Sequence, residues 1–324
     1  MSEAVAESVR GKRLPLRTGS RLLLLLLLAA APLAAYATGQ TFWMTLIART
    51  AILAIAAASL AFLLRDGGLV SFGHAAPFGI GAYAALLSAE GGITSILAVM
   101  PAAFGSAALF SLMTGAAALR TRGVYFIMVT LAFAQMAYFT LSSLTVFGGD
   151  DGMTLASRAT LFGRPFLARE IVLAVFAVFL LGAALYMLER LSVSGFGRVF
   201  RAARENEERV SALGFNPYFY RLGAYTIAGG IAGLSGAMLA NQTEYVSPAM
   251  MSWHLSGEFI VMAVLGSAAG PWGAILGAAI FVLFEQAVGS LTEHWKLLLG
   301  LIVIMMALGR KAWLPLQLKA RPRV

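Results

Sequence analysis

Five polar side chains interrupt otherwise apolar runs of this chain: His74, Tyr83, Gln135, Glu258 and Glu285. Within a bilayer such groups are costly, so each marks an interhelical hydrogen bond or a contact with water or a polar solute. Gln135 and Tyr83 suit the hydrogen bond. Glu258 and Glu285 lie near the ends of their runs, where a carboxylate reaches head groups or water; the alternative for both is a proton relay or a solute contact. No hydrolytic or metal-binding constellation is present. His74, His254 and His294 are far apart and none belongs to a zinc-spaced pair. There is no G-x-x-x-x-G-K phosphate loop, so no cofactor is expected on this chain, and nucleotide energy would have to come from another polypeptide. With no cysteine, disulfides and thiolate chemistry are excluded.

The elements that hold these groups are apolar helices. Of 324 residues 60% are hydrophobic and 12% charged, and the mean hydropathy is +0.82, well outside the soluble range. A bilayer core of about 30 Å takes roughly 20 apolar residues per helix, because each backbone amide must be bonded within its own segment. Ten stretches qualify as spanning or entering segments: 22–37, 42–64, 70–89, 94–118, 123–145, 170–189, 218–240, 257–269, 272–290 and 296–309. The first, eighth and tenth are short. The expected fold class is therefore all-α, a polytopic helical membrane protein with some short or broken helices. Residues 22–309 would form one membrane domain between a basic segment, 1–21, and a basic tail, 310–324. The formal charge of +9 follows this topology rather than a nucleic-acid partner: nineteen Lys and Arg fall in one set of alternate gaps and five in the other. That asymmetry places both termini in the cytoplasm.

At the N-terminus, basic residues up to Arg21, the run Leu22–Leu28 and Ala35-Tyr36-Ala37 fit a cleavable signal or an uncleaved first helix; the long basic stretch favours the helix. The two longest polar interruptions, 146–168 outside and 190–217 inside, are too small to bury cores of their own. Glycine gathers at 67–85, around Pro77, at 229–236, and at 266–277, around Pro271. The 229–236 cluster suits close helix packing. The two with proline suit either packing or a broken helix bordering a cavity.

Residues 195–214, GFGRVFRAARENEERVSALG, have the pattern of one amphipathic helix on the basic side. Val199, Ala203, Val210 and Leu213 share a face, and Arg201–Glu205, Arg204–Glu208 and Glu205–Arg209 are opposite charges four apart. Gly214 is a natural stop, and Asn216-Pro217 mark that the helix has ended. Helices that rest on lipid favour Lys and Arg with few acids, whereas Glu205, Glu207 and Glu208 stand here among Arg198, Arg201, Arg204 and Arg209. Balanced charge suits docking into a protein.

The segment RAARENEERVSALGFNPYFYRL, 201–222, closely resembles the cytoplasmic loop of LivM-type permeases, the membrane subunits of branched-chain amino-acid ABC importers. Four more blocks resemble that family in the same order: GLVSFGHAAPFGIGAYAA at 68–85, TRGVYFIMVTLAFAQMAYF at 121–139, GGDDGMT at 148–154, and VSPAMMSWHLSGEFIVMAVLGSAAGPWGAILGA at 246–278. The ending GRKAWLPL at 309–316 departs from the family's usual Pro-Arg-Gly-Leu-like form, and 190–217 lacks a full EAA-type motif. A coupling role for that loop therefore rests on its position and helical pattern.

The resemblance implies a multi-pass inner-membrane permease that is not itself an enzyme. Its partners would be a homologous second permease, two cytoplasmic ATPase subunits that use ATP, and a periplasmic solute-binding protein. Leucine, isoleucine and valine are the implied solutes, with urea, short amides or aromatic acids as alternatives. An ion-coupled secondary transporter is the competing class, and it would need coupling groups near the midplane. The expected solute path runs by Phe72, Gly73, His74, Phe78, Gly79, Gly81, Tyr83, Gln135 and Glu258, and bulky residues at Gly79 or Gly81 should block transport with assembly intact. The expected coupling residues are Arg198, Arg201, Arg204, Glu205, Glu208, Arg209 and Gly214.

Overall fold

A computed structural model describes residues 39–161, 163–266 and 271–291, with separate positions between 28 and 36 and between 296 and 301. Segment 1–21, most of the expected spans 22–37 and 296–309, the tail 310–324 and positions 267–270 of the third glycine cluster lie outside the described residues.

Helices dominate. α1 runs Thr41–Phe62 and continues as a π-helical turn, Leu63–Gly67. Then follow α2 (Ala75–Glu90), α3 (Ile96–Ala118), α4 (Val124–Ser143), α5 (Glu170–Val193), α6 (Gly195–Glu205), α7 (Glu207–Ala212), α8 (Pro217–Thr243), α9 (Trp253–Leu265) and α10 (Gly273–Gly289). Among the described residues five helices are long and apolar enough to cross a membrane: Thr41–Gly67, Ile96–Ala118, Val124–Ser143, Glu170–Val193 and Pro217–Thr243. They coincide with expected spans to within a few residues. The segment expected at 70–89 differs. Its helix starts only at Ala75 and has 16 residues, about 24 Å at 1.5 Å per residue, too short to cross alone. α9, with 13 residues, is shorter still.

The described residues up to Ala278 form one compact unit, and those from Ala279, inside α10, a second. In the first unit α1, apolar but for a few residues such as Arg49 and Ser59, is the most enclosed long helix, as a helix with little polar surface tends to sit. It packs against α5 and α8, and α8 packs most extensively against α3 and α2. Small residues allow that approach. A Cβ on Gly229 would strike the Ser111 side chain, one on Gly233 the Ala107 side chain, and one on Gly236 the Phe78 carbonyl. The Ser235 hydroxyl donates to the Ile52 carbonyl at 2.5 Å. The packing expected of 229–236 is what the helices use.

At one end, the loop between α4 and α5 is fastened rather than loose. Met153–Thr154 (β1) pairs antiparallel with Tyr245–Val246 (β2), Met153 opposite Val246. Arg158 bridges Glu170 at 2.7 Å and Glu244 at 2.6 Å, and the Ala159 amide donates to Asn241 Oδ1 at 2.7 Å. The opposite end carries α6, α7 and most of the described arginines.

Candidate functional site

Two structures stand out, and both begin where α1 ends. The first is the irregular segment 68–74. Gly68 takes a left-handed conformation (φ 66°), which turns the chain back towards the bundle. His74 Nε2 lies 2.7 Å from Ser59 Oγ, and Ser59 is eight residues before Gly67, about 12 Å along the helix. Residues 68–74 therefore climb about that far into the bundle before α2 starts. Irregular backbone at such depth survives only where protein surrounds it and satisfies its polar groups. Both conditions hold. Ser71, Gly73 and His74 are buried. The Phe72 amide donates to Thr130 Oγ1 at 3.3 Å, Gly73 to Ser71 Oγ at 3.2 Å, and Ala75 to Ser256 Oγ at 2.9 Å. Side chains from α4 and α9 thus replace the helical bonds that this segment lacks.

The expected path residues separate within this frame. His74 and Phe78 both contact Phe259 on α9, with ring centroids 6.5 and 5.2 Å away. Phe72 is half-buried. Tyr83 is buried, edge-on to Phe147, and its hydroxyl has no hydrogen-bond partner among the described residues. An unspent hydroxyl in an apolar setting is a polar group able to meet a solute. Gln135 on α4 and Glu258 on α9 are half-buried. The glycines do something different: a Cβ on Gly73 would strike the Thr130 carbonyl, one on Gly81 the Gly233 carbonyl, and one on Gly79 the Met251 side chain. These positions hold helices together, so the expectation that a bulky residue at Gly81 leaves assembly intact does not survive the packing.

The second structure is the arginine-rich end. Here the single helix expected over 195–214 is corrected to two. Asn206 is extended (φ −156°, ψ 106°) and its side chain caps α7, Oδ1 accepting from the Arg209 amide at 2.8 Å. An asparagine cap satisfies a donor left open at a helix start, and it competes with continuing the helix. Arg204–Glu208 and Glu205–Arg209 therefore straddle a break. Ser194 caps α6 by accepting from Gly197 N–H. The face that α6 buries is Gly197, Phe200 and Ala203, with Phe200 against Phe62 and Phe196. Val210 is buried, but Leu213 is 71% exposed. Gly214 (φ 84°) ends the unit, as expected, and Asn216 goes on to cap α8.

What anchors this end was not singled out from the sequence. Asp66 is buried, accepts from the Ser192 hydroxyl and pairs with Arg201 Nη1 at 3.4 Å. Arg201 also donates to the Ser192 carbonyl at 2.7 Å, and Arg204 donates to the Arg65 carbonyl. Glu207 receives Arg221 at 2.6 Å and Arg122 at 2.7 Å. The ends of α1, α5 and α8 and the α3–α4 turn are thus tied to α6–α7. An acidic residue next to the Gly67-Gly68 pair at the end of a span is the signal that would have found Asp66. Arg198, Glu205, Glu208, Arg209 and Gly214 remain exposed, and among the described residues Glu205 and Glu208 make no ion pair within the chain.

A family model described as the permease component of branched-chain amino acid transport systems matches residues 42–308. The high-affinity branched-chain amino acid transport system permease protein LivM of Escherichia coli strain K12 is 30% identical, over 75% of this chain and 63% of that protein. The protein of the same description from Salmonella typhimurium is 28% identical over the same shares. The autoinducer 2 import system permease protein LsrC of Salmonella typhi is 30% identical over 38% of this chain and 37% of its own length. The chain thus spans a little under two thirds of the length of the LivM relatives. No solved structure matches.

Proposed function

The chain belongs to the family of permease components of branched-chain amino acid transport systems, and from that premise we propose that it is a membrane-spanning subunit of an ATP-driven importer. Its solute would be leucine, isoleucine, valine or a related small molecule. The observation that carries this is the family match over 42–308, which takes in all five long apolar helices and the α6–α7 pair tied to their ends. In this proposal the chain has ten membrane segments in a bacterial inner membrane. The arginine-rich end and both termini face the cytoplasm, as the distribution of Lys and Arg requires. ATP is hydrolysed by two separate subunits, a homologous permease stands alongside, and a periplasmic binding protein delivers solute.

The α6–α7 pair is the docking element for an ATPase. Most of its apolar face packs against the chain itself, while Arg198, Glu205, Glu208 and Arg209 are left for a partner. The broken segment 68–74 and α2 border the solute path, with Tyr83 as a polar contact in an otherwise apolar passage that suits an aliphatic side chain. Glu258 and Gln135 complete the set.

Two measurements test the proposal. The chain reconstituted alone in liposomes is expected to show no ATP-dependent leucine uptake, and robust uptake under those conditions would overturn it. Reversing charge at Glu205 and Glu208 together (Glu205→Lys, Glu208→Lys) is expected to release the ATPase or uncouple its hydrolysis from uptake, with membrane insertion normal. Unchanged ATPase co-purification and unchanged uptake would remove α6–α7 from the docking role.

A further inference from the structure

A cavity of about 520 Å³ opens at the arginine-rich end, where the end of α1, the α3–α4 turn, α6 and α8 meet. We propose that it holds the phosphate head group of an anionic phospholipid. The inner wall is apolar, formed by Leu69, Val70, Phe126 and Ile127. Arg122, Arg204 and Arg221 also line it, and among the described residues no acid does. Their internal partners do not use them up. Arg204 Nη1 donates to a carbonyl, that of Arg65. Arg122 and Arg221 share one carboxylate, Glu207. Three guanidiniums against that single charge leave two positive charges facing the cavity. Arg221 also donates from Nη2 to the Ala203 carbonyl at 3.0 Å, and its buried Nε has no hydrogen-bond partner among the described residues. Forked guanidinium donors match phosphate oxygens in geometry as well as charge.

The wall of the cavity decides between a lipid and a soluble anion. Val124 lines it and is 63% exposed. From there Val124, Met128, Ala132 and Met136 follow at four-residue spacing along α4, all exposed. That apolar track is about 18 Å long, a little more than half of a hydrocarbon core of about 30 Å. It leads from the arginines towards the bilayer centre, as an acyl chain would. A free phosphate or an acidic peptide has no use for it. The site rests on the chain lying in a bilayer with this end at one interface, as proposed above, and not on the solute or on ATPase docking.

The test uses the full chain purified in mild detergent, exposed to an equal mixture of phosphatidylglycerol and phosphatidylethanolamine, with retained lipid counted by mass spectrometry. Wild-type protein is expected to retain phosphatidylglycerol preferentially. Arg122→Gln, whose side chain is 78% exposed and therefore contributes least to packing, should cut that retention about fivefold, the effect of one arginine near an anionic surface. Arg221→Gln should do at least as much. If Arg221→Gln does not fold, Val124→Trp, which narrows the opening from the apolar side, gives a second reading and should also reduce retention. Equal retention of the two lipids overturns the proposal, as does retention unaffected by Arg122→Gln. Displacement of the lipid by millimolar inorganic phosphate or by a glutamate-rich peptide overturns it too, since either result assigns the cavity to a soluble anion.

Discussion

Gly81→Leu is expected to yield no folded protein, and Gly81→Ala to lower the unfolding temperature markedly, while Gly79→Ala lowers it far less. The difference comes from what each missing Cβ faces. At Gly81 it is the Gly233 backbone, carbonyl and Cα together. Neither helix can yield there, because Gly233 is itself pressed against Ala107 and the Ala103 carbonyl. At Gly79 it is mainly the Met251 side chain, and a thioether chain re-packs readily. Overpacking usually costs about 1–3 kcal/mol; Gly81→Ala belongs at the top of that range and Gly79→Ala at the bottom. Thermal unfolding followed by size-exclusion in detergent checks the order. A Gly81→Ala protein that melts with the wild type would show that α2 and α8 are not held this closely.

The second large effect belongs to Asp66. Asp66→Ala is expected to destabilise the arginine-rich end and to abolish coupled uptake, with Asp66→Asn intermediate. The carboxylate side chain is 3% exposed and joins three elements through Ser192 and Arg201. Removing one partner of a buried ion pair typically costs about 3–5 kcal/mol. Arg201 is 30% exposed and keeps its bonds to Ser192, so about 2–3 kcal/mol is the fitting magnitude once solvent screening is allowed for. Asparagine can still accept from the Ser192 hydroxyl but offers no charge to Arg201. Melting curves and uptake by the reconstituted importer should therefore rank wild type, Asp66→Asn, Asp66→Ala. Identical melting for all three would remove Asp66 as an anchor of α6.

The long helices were legible in the sequence because one rule, about 20 apolar residues per crossing, acts on local composition. Gly214 and Asn216-Pro217 were legible for a similar reason, since caps act within a few residues of themselves. What escaped depends on distant partners. The late start of α2 is sustained by Thr130 and Ser256, 58 and 181 residues from the amides they receive. The break at Asn206 hid behind charge pairs that suit a continuous helix equally well. What tips it is the Asn206 cap together with the two arginines that hold Glu207. Among the expected path residues, spacing alone could not separate Gly81, whose missing Cβ faces the Gly233 backbone, from Tyr83, whose hydroxyl has no partner among the described residues.

The bond between the Ala75 amide and Ser256 has a consequence for biosynthesis. At 5–20 residues per second, roughly 10–40 s pass between the emergence of residue 75 and that of its acceptor. Through that interval the start of α2 lacks its final partner and cannot settle at depth in lipid without a cost of several kcal/mol. The segment must wait, at the membrane surface or sheltered by the insertion machinery, until α9 is made. The order in which this chain acquires its interior is therefore not the order in which it is translated.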